Sequence, residues 1–70
     1  MNSPTLKNTI KVQRAKKDLT QEELAELVLV TRKTINTVEK GKYVPSTVLA
    51  LKLAKVLEVP VEELFILTEE

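Results

Sequence analysis

The chain has no cysteine and no histidine, and its only glycine is Gly41. Without cysteine there are no disulfides and no thiolate metal sites. Without histidine the commonest general base and the commonest metal ligand are both missing. A lone glycine leaves no glycine-rich loop to cradle a phosphate. Carboxylates are plentiful, but they fall on predicted helix surfaces, where a solvated face is their ordinary role. These absences argue against an enzyme and leave no cofactor, metal or small-molecule ligand to expect. No apolar run approaches the roughly 20 residues that cross a bilayer, and the N-terminus lacks a signal-peptide pattern. No membrane association is therefore expected, and a cytoplasmic location suits the chain. Seventy residues make one domain, near the lower limit at which a single core holds without staples.

What is present is charge in blocks. A net charge of +1 conceals a strong order along the chain. Lys7, Lys11, Arg14, Lys16 and Lys17 make the first stretch basic; Asp18, Glu22, Glu23 and Glu26 follow. From Arg32 to Lys42 the run is basic again, interrupted only by Glu39, and Glu58, Glu62, Glu63, Glu69 and Glu70 finish the chain. Such segregation lets a nearly neutral protein present one positive surface, the alternative being scattered solubilising charge.

The apolar pattern predicts helices. Residues 1–5 are small and polar and are expected to be loose. A first helix runs from about Ile10 to Lys17 with Asn8 or Thr9 as cap. Ile10, Gln13, Arg14 and Lys17 share one face, which packs partly through aliphatic stems. The second helix starts firmly, because Thr20 followed by Glu23 forms a capping box. Leu24, Ala25, Leu27 and Val28 form its expected buried stripe, and Val30 lies in the turn that follows. Thr31 caps the third helix, whose Ile35 and Val38 face inward with Glu39 alongside. Gly41 supplies a left-handed stop. Ser46 caps a fourth helix, TVLALKLAKVL, apolar around most of its circumference and expected to be the central core element. Pro60 opens a last short helix, VEELF.

The third helix carries an outward face that suits the major groove of a duplex. Arg32, Lys33, Asn36 and Thr37 offer side chains of the kinds that read base edges. Arg donates twice to guanine, Asn pairs with adenine, and Thr offers a hydroxyl or a methyl. Gln21, at the start of the second helix, is placed to hold a phosphate at a positive helix end. Thr31, Thr34, Lys40 and Lys42 flank the reader and suit the DNA backbone. Singly, each residue has a bland explanation as surface charge or cap. Their joint placement after a tight turn is what points to DNA.

With LTQEELA at 19–25, VTRKTINTVEKGKYVPS at 30–46 and LALKLAKVLEVPVEELF at 49–65, the chain resembles the phage repressor and Cro type of helix-turn-helix domain. The resemblance covers residues 10–65. It implies an all-α fold, a compact five-helix repressor-like bundle over residues 6–65, with room for short terminal strands. It also implies a transcriptional regulator that binds a palindromic double-stranded DNA operator as a homodimer, most simply as a repressor. On the same resemblance Gln21 braces the DNA backbone, Arg32, Lys33 and Thr37 touch bases with Asn36 beside them, and Lys40, Lys42 and Tyr43 take phosphate positions. Arg14 and Glu39 correspond to a buried ion pair tying the first helix to the reader. Two positions depart from the family pattern: Leu29, where Gly, Asn or an acid is common, and Gln13, where a leucine is often buried.

Candidate dimer surfaces are Val48, Leu49 and Val56 near Lys52, and the tail over residues 66–70. Phe65–Thr68 either forms a strand, paired with the stretch around Leu6-Lys7-Asn8, or leaves Phe65 and Leu67 as caps on the core. The rival function is a protein-interaction module on the same fold with vestigial DNA binding. The retention of Gln21, Arg32, Lys33 and Lys40 argues against it.

Overall fold

The computed structural model describes residues 4–69. Along them run β1 (Pro4–Asn8), α1 (Ile10–Lys16), α2 (Gln21–Val28), α3 (Arg32–Glu39), α4 (Thr47–Leu57), α5 (Val61–Leu64) and β2 (Phe65–Glu69). The five expected helices are present, but two strands accompany them, so the fold is mainly helical and not strictly all-α. β1 begins at Pro4, inside the segment expected to be loose; the rest of that segment, residues 1–3, lies outside the described residues, as does Glu70 of the tail.

Side-chain caps fix where three helices start. Thr20 Oγ1 accepts from the Glu23 N–H at 3.0 Å, and Glu23 Oε1 accepts from the Thr20 N–H at 2.8 Å, a complete capping box. Thr31 Oγ1 accepts from the Thr34 N–H at 3.2 Å and Ser46 Oγ from the Leu49 N–H at 3.1 Å. Removing any of these caps costs about 1 kcal/mol.

One device ends the first four helices. Asp18, Leu29, Gly41 and Glu58 all have positive φ. The residue after each donates its N–H to a carbonyl five positions back: Leu19 to Arg14, Val30 to Ala25, Lys42 to Thr37 and Val59 to Ala54. Three of those following residues, Leu19, Val30 and Val59, pack against the core, as the helix-stop motif favours.

The core is formed by Ile10, Leu24, Ala25, Val28, Ile35, Val38, Leu49, Leu53, Ala54, Leu57 and Leu64. Leu27, expected in the buried stripe of α2, is exposed. At 100° per residue it lies well off the line through Leu24, Ala25 and Val28. Leu49, expected on a free shoulder of α4, is buried in the core, whereas Val48 is exposed and Val56 half-buried against the core.

The terminal segments pair with each other as an antiparallel ribbon, Pro4 opposite Glu69, Leu6 opposite Leu67 and Asn8 opposite Phe65. Directly opposed residues share a face, so Leu6, Asn8, Phe65 and Leu67 lie on one side. That side turns toward Val38 and the loop at Tyr43–Pro45. Phe65 thus satisfies both expectations made for it: it opens β2 and packs on the core.

Candidate nucleic-acid interface

α2 and α3 are joined by a turn of three residues, Leu29–Thr31. Leu29 turns the chain with φ 62° and ψ 45°, the left-handed region that its β-carbon disfavours. Thr31 then opens α3, and its Oγ1 also lies 3.0 Å from Thr34 Oγ1. The first turn of α3, capped by Thr31, carries Arg32 and Lys33, both exposed. Between the N-terminal ends of α2 and α3 lies a shallow groove lined by Arg14, Thr20, Gln21, Glu22 and Arg32.

Beneath that groove the two helices are locked by a chain of polar bonds. Arg14 Nε donates to Glu39 Oε2 at 2.8 Å, Arg14 Nη2 to Glu39 Oε1 at 3.2 Å, and Arg14 Nη1 to the Leu19 carbonyl at 2.9 Å. The two side chains are only 15% and 8% exposed, so the pair is largely desolvated. Gln21 Nε2 donates to Glu39 Oε1 at 3.1 Å and to Asn36 Oδ1 at 3.2 Å. Each charged hydrogen bond in this set offsets the cost of burying the carboxylate, and the bidentate fork fixes its plane.

Two side chains expected to face fully outward are half-buried. Asn36 accepts from Gln21, and the Thr37 hydroxyl donates back to the Lys33 carbonyl at 2.5 Å. The amide of Gln21, expected at a phosphate, is turned onto α3. Lys40 and Lys42 are exposed just beyond α3. Tyr43 lines an open cleft with Lys33, Thr34 and Thr37. Arg32, Lys33, Thr34, Thr37, Lys40, Lys42 and Tyr43 therefore lie along or just after one helix, while Gln21, Asn36, Arg14 and Glu39 form the support under it.

Asn8 has a part in this site that the sequence does not announce. It was a candidate cap for α1, and its Oδ1 does accept from the Ile10 N–H at 3.1 Å. Its Nδ2 also donates to the Val38 carbonyl at 3.0 Å and to the Glu39 carbonyl at 3.4 Å. An asparagine before a helix signals a local cap; the reach to a helix thirty residues away follows from packing alone.

Among the described residues no group of His, Cys, Asp or Glu is arranged to hold a metal ion, and no helix is long and apolar enough to cross a membrane.

Residues 10–64 match a family described as helix-turn-helix. The HTH-type transcriptional regulator YgzD of Bacillus subtilis is 48% identical over 65 residues, which is 93% of this chain and 98% of that protein. An HTH-type transcriptional regulator of Methanocaldococcus jannaschii is likewise 48% identical over 65 residues, with the same coverage of both chains. Among solved structures, the restriction-modification controller protein C.AhdI from Aeromonas hydrophila is similar with a TM-score of 0.72 and 37% identity, over 77% of this chain and 82% of that one. A Bacteroides fragilis protein is similar with a TM-score of 0.79 and 33% identity, over 87% of this chain and 98% of that one.

Proposed function

The chain belongs to the helix-turn-helix family of transcriptional regulators, and from that premise we propose that it is a homodimeric repressor that reads a palindromic operator with α3. Arg32 and Lys33 reach base edges in the major groove, with Thr37 one turn on; Asn36, whose Oδ1 is taken by Gln21, supports them from beside it. Thr31, Thr34, Lys40, Lys42 and Tyr43, together with the N-terminal amides of α2 at Gln21, take the flanking phosphates. Repression follows most simply from occlusion of a promoter. On this reading the protein works in the cytoplasm, where the operators of bacteria and archaea, the sources of its relatives, lie.

One observation carries this reading: Arg32 and Lys33 stand exposed on the first turn of a helix whose underside is fixed by Glu39, Gln21 and Asn36. A reader needs free donors on a rigid support, because base-edge hydrogen bonds tolerate only a few tenths of an ångström. A lone domain makes too few contacts for tight, specific binding. Two copies on half-sites spaced by about one helical turn, ~34 Å, gain affinity through linkage.

Selection of bound duplexes from a random pool tests the proposal in one step. Enrichment of two inverted half-sites at one-turn spacing is the expected result. A pool that stays unenriched while the protein is folded overturns operator binding, and enrichment of a single unrepeated half-site overturns the dimer.

A further inference from the structure

The terminal ribbon hydrogen-bonds to the reading helix through the side chain of Asn8. Asn8 closes β1 opposite Phe65, at the point where the strand hands over to α1. Its Oδ1 takes the Ile10 N–H at 3.1 Å, and its Nδ2 spans the Val38 and Glu39 carbonyls at 3.0 and 3.4 Å. Ribbon, α1 and the C-terminal end of α3 therefore meet on one amide group. The Val38 carbonyl already takes the Gly41 N–H at 3.0 Å as α3 ends, so Asn8 adds a second, side-chain donor that ties this main chain to the ribbon. Glu39 is held a second time, through its carboxylate, by Arg14. One anchor closes β1 and the other stands within α1, and both act on the end of α3 that is remote from Arg32 and Lys33.

That remoteness makes Asn8 matter. α3 is a rod of eight residues, about 12 Å long, so a tilt of about 5° at its anchored end displaces its reading end by about 1 Å. Such a displacement breaks base-edge hydrogen bonds. Long, flexible lysine side chains on phosphates follow it without loss.

We propose that Asn8 is a positioning residue for base readout. It couples the β1–β2 ribbon to α3 and sets the angle at which Arg32 and Lys33 enter the groove. The proposal rests on the operator-binding reading above. Its mark is a loss of discrimination between sequences without a matching loss of general DNA affinity.

The test compares the full chain with Asn8→Ala and Asn8→Ser by fluorescence anisotropy, on a selected operator duplex and on a scrambled duplex of equal length. Far-UV circular dichroism fixes a temperature at which every variant is folded. Serine can still accept from the Ile10 amide in a local turn but cannot reach the α3 carbonyls, so it keeps the cap if the alanine variant unfolds. Both variants are expected to lose operator affinity by on the order of tenfold, as for residues that transmit geometry to a site, with scrambled-duplex affinity unmoved. An unchanged ratio of the two affinities overturns the proposal, whether neither moves or both fall together as in plain destabilisation. Wild-type protein that fails to distinguish the duplexes overturns operator binding and this inference with it. A discriminating wild type with equally discriminating variants removes only the role of Asn8.

Discussion

Arg14 and Glu39 form a forked ion pair, 2.8 Å from Nε to Oε2, at the point where α1, the start of α2 and α3 converge. Because both side chains are largely buried, the net worth of the pair is small while the cost of breaking it is large. Arg14→Met leaves an almost buried carboxylate without its counter-ion, and is expected to destabilise the fold by about 3–5 kcal/mol. The double variant Arg14→Met/Glu39→Leu removes both charges together and is expected to recover most of that loss. Urea unfolding of the two variants checks this. A single variant no less stable than the double one would contradict the pair's desolvated character. Gln21 also loses its carboxylate partner in the double variant, so recovered stability is expected without recovered DNA affinity.

Arg32 and Lys40 stand on the same helix and its cap but are assigned different work. Arg32→Ala is expected to cost about 1–3 kcal/mol on the operator and to relax one base position. Lys40→Ala is expected to weaken all sequences alike and to reduce the salt slope by about 1. If each protomer neutralises about four or five phosphates, the dimer's log affinity falls against log salt with a slope of roughly −8. Titrations on operator and random DNA at several salt concentrations give all three quantities. Equal losses on both duplexes for Arg32→Ala would remove it as a reader, and a flat salt response would remove the phosphate contacts.

The helix starts were legible because Thr20, Thr31 and Ser46 signal caps through local chemistry, and each forms its expected bond. The helix stops were less so. Only Gly41 carries the residue type that most strongly marks a left-handed position; Asp18 tolerates that backbone, whereas Leu29 and Glu58 adopt it against their own preference. The readable sign was the apolar residue after each stop, Leu19, Val30 and Val59, whose burial stabilises the reversal. Leu27 shows the opposite failure, since three-residue spacing from Leu24 looks periodic but drifts off the buried arc within α2. The exposure of Arg32 and Lys33 followed from helical periodicity. The turning of Gln21 onto Asn36 and Glu39, and the grip of Asn8 on α3, depend on how helices far apart in sequence pack, which no local pattern encodes.

Leu29 holds φ 62° with its side chain 81% exposed, so its β-carbon bears the strain of the turn with little burial in return. The left-handed backbone costs a non-glycine residue about 1–2 kcal/mol. Glycine relieves this but adds about 0.5–1 kcal/mol of unfolded-state entropy. Leu29→Gly is therefore expected to stabilise by about 0.5–1 kcal/mol, raising the melting temperature by roughly 2–8 °C in a domain of this size. Leu29→Ala keeps a β-carbon and is expected to bring no gain. Calorimetry on the pair decides it: equal melting temperatures for the two variants would show that the turn is not strained.

β2 is bonded to β1 along one edge, and it carries Ile66 and Leu67 at 41% and 65% exposure. A two-stranded ribbon is marginal by itself, and its outer edge offers unpaired backbone groups to another chain. Deletion of residues 66–70 leaves Phe65 on the core and removes that apolar pair together with most of the ladder. If the tail lies in the homodimer interface, the truncated chain sediments as a monomer at micromolar concentration and loses the linkage gain on the palindrome. A truncated chain that is still a dimer would move the interface away from the tail. The exposed Val48 on α4 would then be the first place to substitute, with Val48→Lys expected to part the protomers.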